Sequence, residues 1–200
     1  MESLSAMNLR DTLKTATAAV HAALERTDVL RAFTSASTTP AVYVDYLARQ
    51  WHLHRVMEPA LHGWLDAGWT DSRLVKARWL EQDLKALRSC AEAREVDWEA
   101  PCNAAQALGT LYVLEGATLG IRQSVRALPA EHPAHGPANR FVQGYGEHTG
   151  ARWKDFVARL EDVDPVLWPD VVAGASAAFS AFKTHFSEGS HAELDALARD

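Results

Sequence analysis

Ala107-Leu-Gly-Thr-Leu-Tyr-Val-Leu-Glu-Gly-Ala-Thr-Leu-Gly-Ile-Arg-Gln-Ser-Val-Arg-Ala-Leu128 reads as one long helix. Leu108, Leu111, Tyr112, Leu114, Leu119, Val125 and Leu128 supply its apolar positions, and no proline interrupts it. Its interior nevertheless carries Gly109, Gly116 and Gly120. Each helix-interior glycine costs about 1 kcal/mol relative to alanine. Gly116 and Gly120 are four residues apart, so they stack on one face, about 6 Å apart along the axis. Bare backbone on that face implies that something lies close against it. Two candidates follow: another helix in close packing, or a flat ligand lying over a stripe without side chains.

The rest of the chain sets the frame for that helix. Two hundred residues fit one domain with a sizeable core, and 48% hydrophobic with 23% charged residues is ordinary for a globular protein. A formal net charge of −6, with basic residues dispersed along the chain, argues against a nucleic-acid partner. Cys90 and Cys102 lack CxxC spacing and are expected to be free thiols of a cytoplasmic protein. The opening Met-Glu-Ser-Leu-Ser-Ala-Met lacks the basic and apolar regions of a signal peptide. The longest apolar tract contains Glu115 and is too short to span a membrane.

No strand-like alternation appears, so the expected fold is all-α, a single domain of about eight helices. A first helix is expected from about Met7 to Arg26, with Leu9, Leu13, Ala16, Val20 and Leu24 inward. Lys14, His21 and Glu25 share one of its faces, and a carboxylate one turn from an imidazole can orient it. Thr39-Pro40 is a good helix start, opening a helix to about Asp66 that Pro59 should kink. His54, Glu58 and His62 recur at intervals of four, as a metal site could require, but a solvated face with one ion pair is the plainer reading. A third helix should start at Asp71 or Ser72 and reach about Glu92, with Leu74, Leu80, Leu84 and Leu87 inward. Pro129–Pro137 reads as a surface loop, and further helices are expected at 140–150, 151–162 and 166–187, with a short one after Gly189.

Two stretches together resemble a known family. Leu13-Lys-Thr-Ala-Thr-Ala-Ala-Val-His-Ala-Ala-Leu-Glu25 resembles the proximal helix of heme oxygenases, where LK-x-AT-x-x-x-H-x-x-x-E carries the axial histidine. Leu111–Gly120 is similar to the distal helix of the bacterial enzymes, where YVLEG-S-x-LG lies over the heme. Gly144–Phe156 looks like the matching region of enzymes that supply biliverdin to bacteriophytochromes. The resemblance implies a heme-oxygenase-like fold with His21 as the iron ligand, Glu25 supporting it and Lys14 holding one heme carboxylate. Arg152, Lys154 or Arg159 would hold the other carboxylate. Gly116 and Gly120 would be the catalytic glycines, letting the distal backbone approach the ring. Heme would be both cofactor and substrate, cleaved with dioxygen to biliverdin, iron and carbon monoxide. Electrons would come from an external reductase or ferredoxin.

The chain departs from the family pattern at Ile121, where a second small residue is usual, and at Ala117, where bacterial enzymes often have serine. These departures motivate an alternative, a heme carrier or sensor without turnover. A third reading is a non-heme enzyme on the wider scaffold, with His54, Glu58 and His62 as its suspects.

Overall fold

The computed structural model describes residues 8–188, which form nine α-helices joined by turns and short 3-10 segments, with no strand among them. The expected short helix after Gly189 lies outside the described residues. Helix α1 spans Leu9–Glu25, α2 Asp28–Phe33, α3 Pro40–His62, α4 Ala67–Thr70 and α5 Lys76–Ala86. The glycine-bearing helix is α6, Ala104–Arg126, followed by α7 (Arg140–Gln143), α8 (Thr149–Leu160) and α9 (Trp168–Ser187).

Local side-chain caps start α1, α3, α4 and α6. The Asn8 side chain accepts the Asp11 N–H at 2.8 Å, and the Asn103 side chain accepts that of Gln106 at 2.9 Å. Thr39 and Pro40 open α3 as the sequence suggests, and Pro59 falls in its last turn, where the helix runs on to His62. Two helices take their caps from elsewhere in the chain, and one of them starts away from expectation for that reason. Helix α5 begins at Lys76 rather than Asp71 or Ser72, and Ser72 takes a positive φ of 52°. Its first N–H groups, those of Lys76 and Ala77, are accepted by the Glu58 carboxylate of α3, at 2.8 and 3.3 Å. Asp83 of α5 does the same for α7, accepting from Arg140 and Phe141 at 2.9 and 2.8 Å. The extended connection after α5 is tied down by Arg55 and His52, which bond the carbonyls of Arg94 and Glu92.

On α1, Leu9, Leu13 and Thr17 are buried, whereas Ala16 is exposed, contrary to its expected place in the core. Val20 and Leu24 are only half-buried. The core lies chiefly along α3, α6 and α9, and the closest approach is between α6 and α9. A methyl group added to Gly109 would sit 1.9 Å from the Val171 carbonyl oxygen, and one added to Gly174 would sit 2.0 Å from that of Gln106. Close helix packing therefore accounts for the first of the three glycines.

A buried histidine pair joins α3 to α9. His52 Nε2 lies 2.8 Å from the Glu92 carbonyl oxygen, which can only accept, so Nε2 carries the proton. His52 Nδ1 then accepts from His185 Nε2 at 3.0 Å, and the Glu188 carboxylate stands 3.3 Å from His185 Nδ1. Burial, helped at His185 by Arg49, pushes both pKa values down to about 4.

Two predictions follow from this packing. Gly109→Ala forces two backbones apart and should destabilise by about 1–3 kcal/mol or more in urea denaturation. For the histidine pair, the unfolded chain binds protons near pH 6.5 that the folded chain refuses until about pH 4. Stability is therefore full above pH 6.5 and is lost as pH falls from there toward 4. A urea midpoint measured across that range should fall less in His52→Gln than in the wild type.

Candidate functional site

Between α1, α2, α6 and α9 lies a cavity of about 420 Å³, a volume ordinary for small-molecule sites. Helix α6 turns one stripe into it: Tyr112, Gly116, Gly120 and Ser124, each one turn after the last, with Val113, Ala117 and Ile121 alongside. Helix α1 contributes His21, Leu24 and Glu25, and α9 contributes Phe179, Phe182 and Phe186. Leu30, Phe33 and Thr34 come from α2 and its end, Gln50 from α3 and Trp153 from α8.

The remaining two glycines of α6 differ in what they face. A methyl at Gly116 would touch the Trp153 ring at 3.5 Å, an ordinary contact. A methyl at Gly120 would meet nothing within 4 Å. The bare stripe is thus covered at one end and opens on the cavity at the other. Neither glycine serves helix packing as Gly109 does.

His21 is half-exposed at the cavity wall, with the edge of its ring toward Phe179 at a centroid separation of 5.4 Å. The Glu25 carboxylate stands 3.6 Å from His21 Nδ1, which leaves Nε2 as the nitrogen free to bind a metal. Gln50 is buried, and its Nε2 donates to the Tyr46 hydroxyl at 3.1 Å. Its Oε1 is buried without a partner, an acceptor left over at the cavity wall. A mostly aromatic and aliphatic lining with one accessible imidazole fits a flat, apolar, metal-bearing ligand such as heme.

The basic residues expected around heme are distributed unevenly. Lys14 is exposed on α1, two turns before His21, and does not line the cavity. Arg10, one turn earlier on α1, lies close enough to the Tyr112 phenol to act on it electrostatically. Arg152, Lys154 and Arg159 also lie off the cavity, because Trp153 and Phe156 take the inner face of α8. Arg152 donates to the Asp71 carbonyl and stacks on Tyr145, Arg159 reaches the Gly68 carbonyl and Trp69, and Lys154 is exposed. Ile121 points into the cavity rather than away from it, and so does Ala117.

His54, Glu58 and His62 do not form a site. His54 and Glu58 are a buried pair at 3.1 Å rather than a solvated one, and Glu58 caps α5. His62 is exposed, and no group of three metal-capable side chains occurs among the described residues. Sequence reasoning passed over Tyr112 and Ser124 as site residues, although continuing the glycine spacing by one turn each way reaches both. Gln50 and α2 carry no comparable local signal.

The other face of α6 is anchored by a buried charge network. Glu115 receives Arg73 and Lys76, and the Tyr145 hydroxyl donates to it at 2.7 Å. Burial pushes the Glu115 carboxyl up, but Lys76, Tyr145 and Arg73 outweigh it and hold Glu115 below its ordinary range.

Residues 7–188 match the heme oxygenase family model, and the chain belongs to that family. It is 33% identical over 148 residues to the heme oxygenase of Xanthomonas campestris pv. campestris (strain 8004), covering 71% of this chain and 87% of that protein. Its fold is also similar to that of the NO- and CO-bound heme oxygenase from Neisseria meningitidis. That match has a TM-score of 0.62 and 25% identity, and covers 92% of each chain. The activity is accordingly that of a heme oxygenase, in which heme is both cofactor and substrate and is cleaved to biliverdin. No helix among the described residues is long and apolar enough to cross a membrane.

Removing the anchor of α6 should be costly. Glu115→Ala leaves Lys76 buried without its carboxylate and should lose about 3–5 kcal/mol, measured by urea denaturation of the heme-free protein.

Proposed function

We propose that this heme oxygenase, acting as one domain, holds heme between His21 on α1 and the glycine stripe of α6. The observation that carries this reading is that His21 and the open backbone at Gly120 border the same cavity. His21 Nε2 binds the iron, Glu25 orients the ring through Nδ1, and the T-shaped contact with Phe179 limits its rotation. Gly116 and Gly120 keep side chains off the ring so that backbone can approach it. Gln50 Oε1 accepts a hydrogen bond from water held inside the cavity. Lys14, exposed two turns before His21, reaches one heme carboxylate from outside the cavity, and the Tyr112 hydroxyl in the cavity wall is a further donor. Lys154 is the remaining basic candidate on α8, since Arg152 and Arg159 are engaged elsewhere. Bound heme supplies the iron that activates dioxygen and the ring that is opened.

Electrons come from an external reductase or ferredoxin in this reading, and the protein works in the cytoplasm. A bacteriophytochrome is a fitting recipient of the biliverdin, on the resemblance of Gly144–Phe156 to enzymes that serve such receptors.

Hemin titration followed by absorption spectroscopy tests the site. The wild type should bind one hemin with a histidine-ligated spectrum, and His21→Ala should lose that spectrum. Indistinguishable spectra and affinities would overturn the assignment. Gly120→Ala separates the two roles of a helix glycine. It should stabilise the heme-free protein by up to about 1 kcal/mol while weakening hemin binding or slowing biliverdin formation.

A further inference from the structure

A second cleft, of about 720 Å³, lies on the other side of α8 from the heme cavity. Trp153 faces the heme cavity, whereas its neighbour Arg152 lines this cleft together with Arg73, Arg140, Tyr145 and His148. Asp71 and Asp155 are also in its wall.

The charges do not all have partners. Arg73 and Lys76 are matched by Glu115, with Asp155 3.4 Å from Arg73. Asp83 spends both carboxylate oxygens on the backbone N–H groups that open α7. Asp71 contributes its carbonyl, not its carboxylate, to Arg152. Among the described residues Arg140 and Arg152 form no ion pair; each holds one backbone carbonyl, of Gly144 and Asp71, and Asp83 acts on Arg140 only at longer range.

Both guanidiniums also lie over aromatic rings. Arg140 lies 3.6 Å from the centre of the Trp79 ring, and Arg152 lies 4.2 Å from that of Tyr145. The two rings are themselves in edge contact at 5.6 Å. A guanidinium stacked on a ring keeps its N–H edge available for an acceptor in its own plane. Arg152 Nε is moreover buried without any partner, and a buried donor in that condition is unfavourable until an acceptor arrives.

We propose that this cleft binds a small oxyanion, a carboxylate or a phosphate, through Arg140 and Arg152. Planar forks of N–H groups suit either group, because both offer two oxygens at the matching spacing. Tyr145 forms the floor of the cleft and donates to Glu115, the residue before Gly116, so the bound anion is one hydrogen bond from the helix that covers the heme.

The test is calorimetric titration of hemin-saturated full-length protein with inorganic phosphate and, separately, with citrate. Ionic strength is held constant with chloride, and hemin blocks the heme cavity as a competing site. Saturable one-to-one binding of at least one anion is expected, weakened tenfold or more in both Arg140→Gln and Arg152→Gln. The anion that binds distinguishes a phosphate from a carboxylate ligand. Arg140 is exposed, so its variant should fold even where that of Arg152 does not. No saturable binding of either anion would overturn the proposal, as would equal affinity in the wild type and Arg140→Gln.

Discussion

The contact on which the rest of this structure depends is backbone against backbone, where α6 crosses α9. Gly109 and Gly174 are each so close to a carbonyl of the other helix that neither position has room for a methyl group. Interiors pack densely, and a contact without side chains sets the separation of two helices more rigidly than one cushioned by rotamers. Both walls of the cavity follow from it. Gly116 and Gly120 lie two and three turns along α6 from the crossing, and Phe179, Phe182 and Phe186 lie farther along α9.

The crossing sets a distance, but α6 could still roll about its own axis. Glu115 opposes that motion from the other side. Its carboxylate is shared among Arg73, Lys76 and Tyr145, all anchored outside α6. A buried ion pair adds little stability over well-packed apolar residues, yet breaking one is severe, so the network favours a single rotational setting. Glu115 and Gly116 are adjacent and project about 100° apart. Holding the first inward to its cations turns the second toward the cavity.

Within that frame the cavity carries few polar groups. One imidazole with a carboxylate near Nδ1, one buried amide oxygen and a phenol are set into an aromatic and aliphatic lining. Ile121 places a branched side chain inside that lining. The second cleft has the opposite character, with cations laid on aromatic faces and carboxylates at its edge.

The sequence by itself determined the features that repeat along one helix. Its periodicity specified an all-α fold, its spacing put His21 and Glu25 on one face of α1, and it stacked Gly116 on Gly120. It also marked the Thr39-Pro40 start. These are consequences of 3.6 residues per turn and of capping chemistry, both local to the chain. Tertiary structure decided which glycine serves packing and which opens on a cavity, since Gly109 and Gly120 look alike until α9 lies against one of them. It decided where α5 begins and supplied the cap of α7, because Glu58 and Asp83 arrive from 18 and 57 residues away. It also turned Arg152 away from the heme cavity by giving the inner face of α8 to Trp153 and Phe156. The physical reason is the same in each case: burial and capping by distant segments have no period along the chain, so only the folded arrangement reveals them.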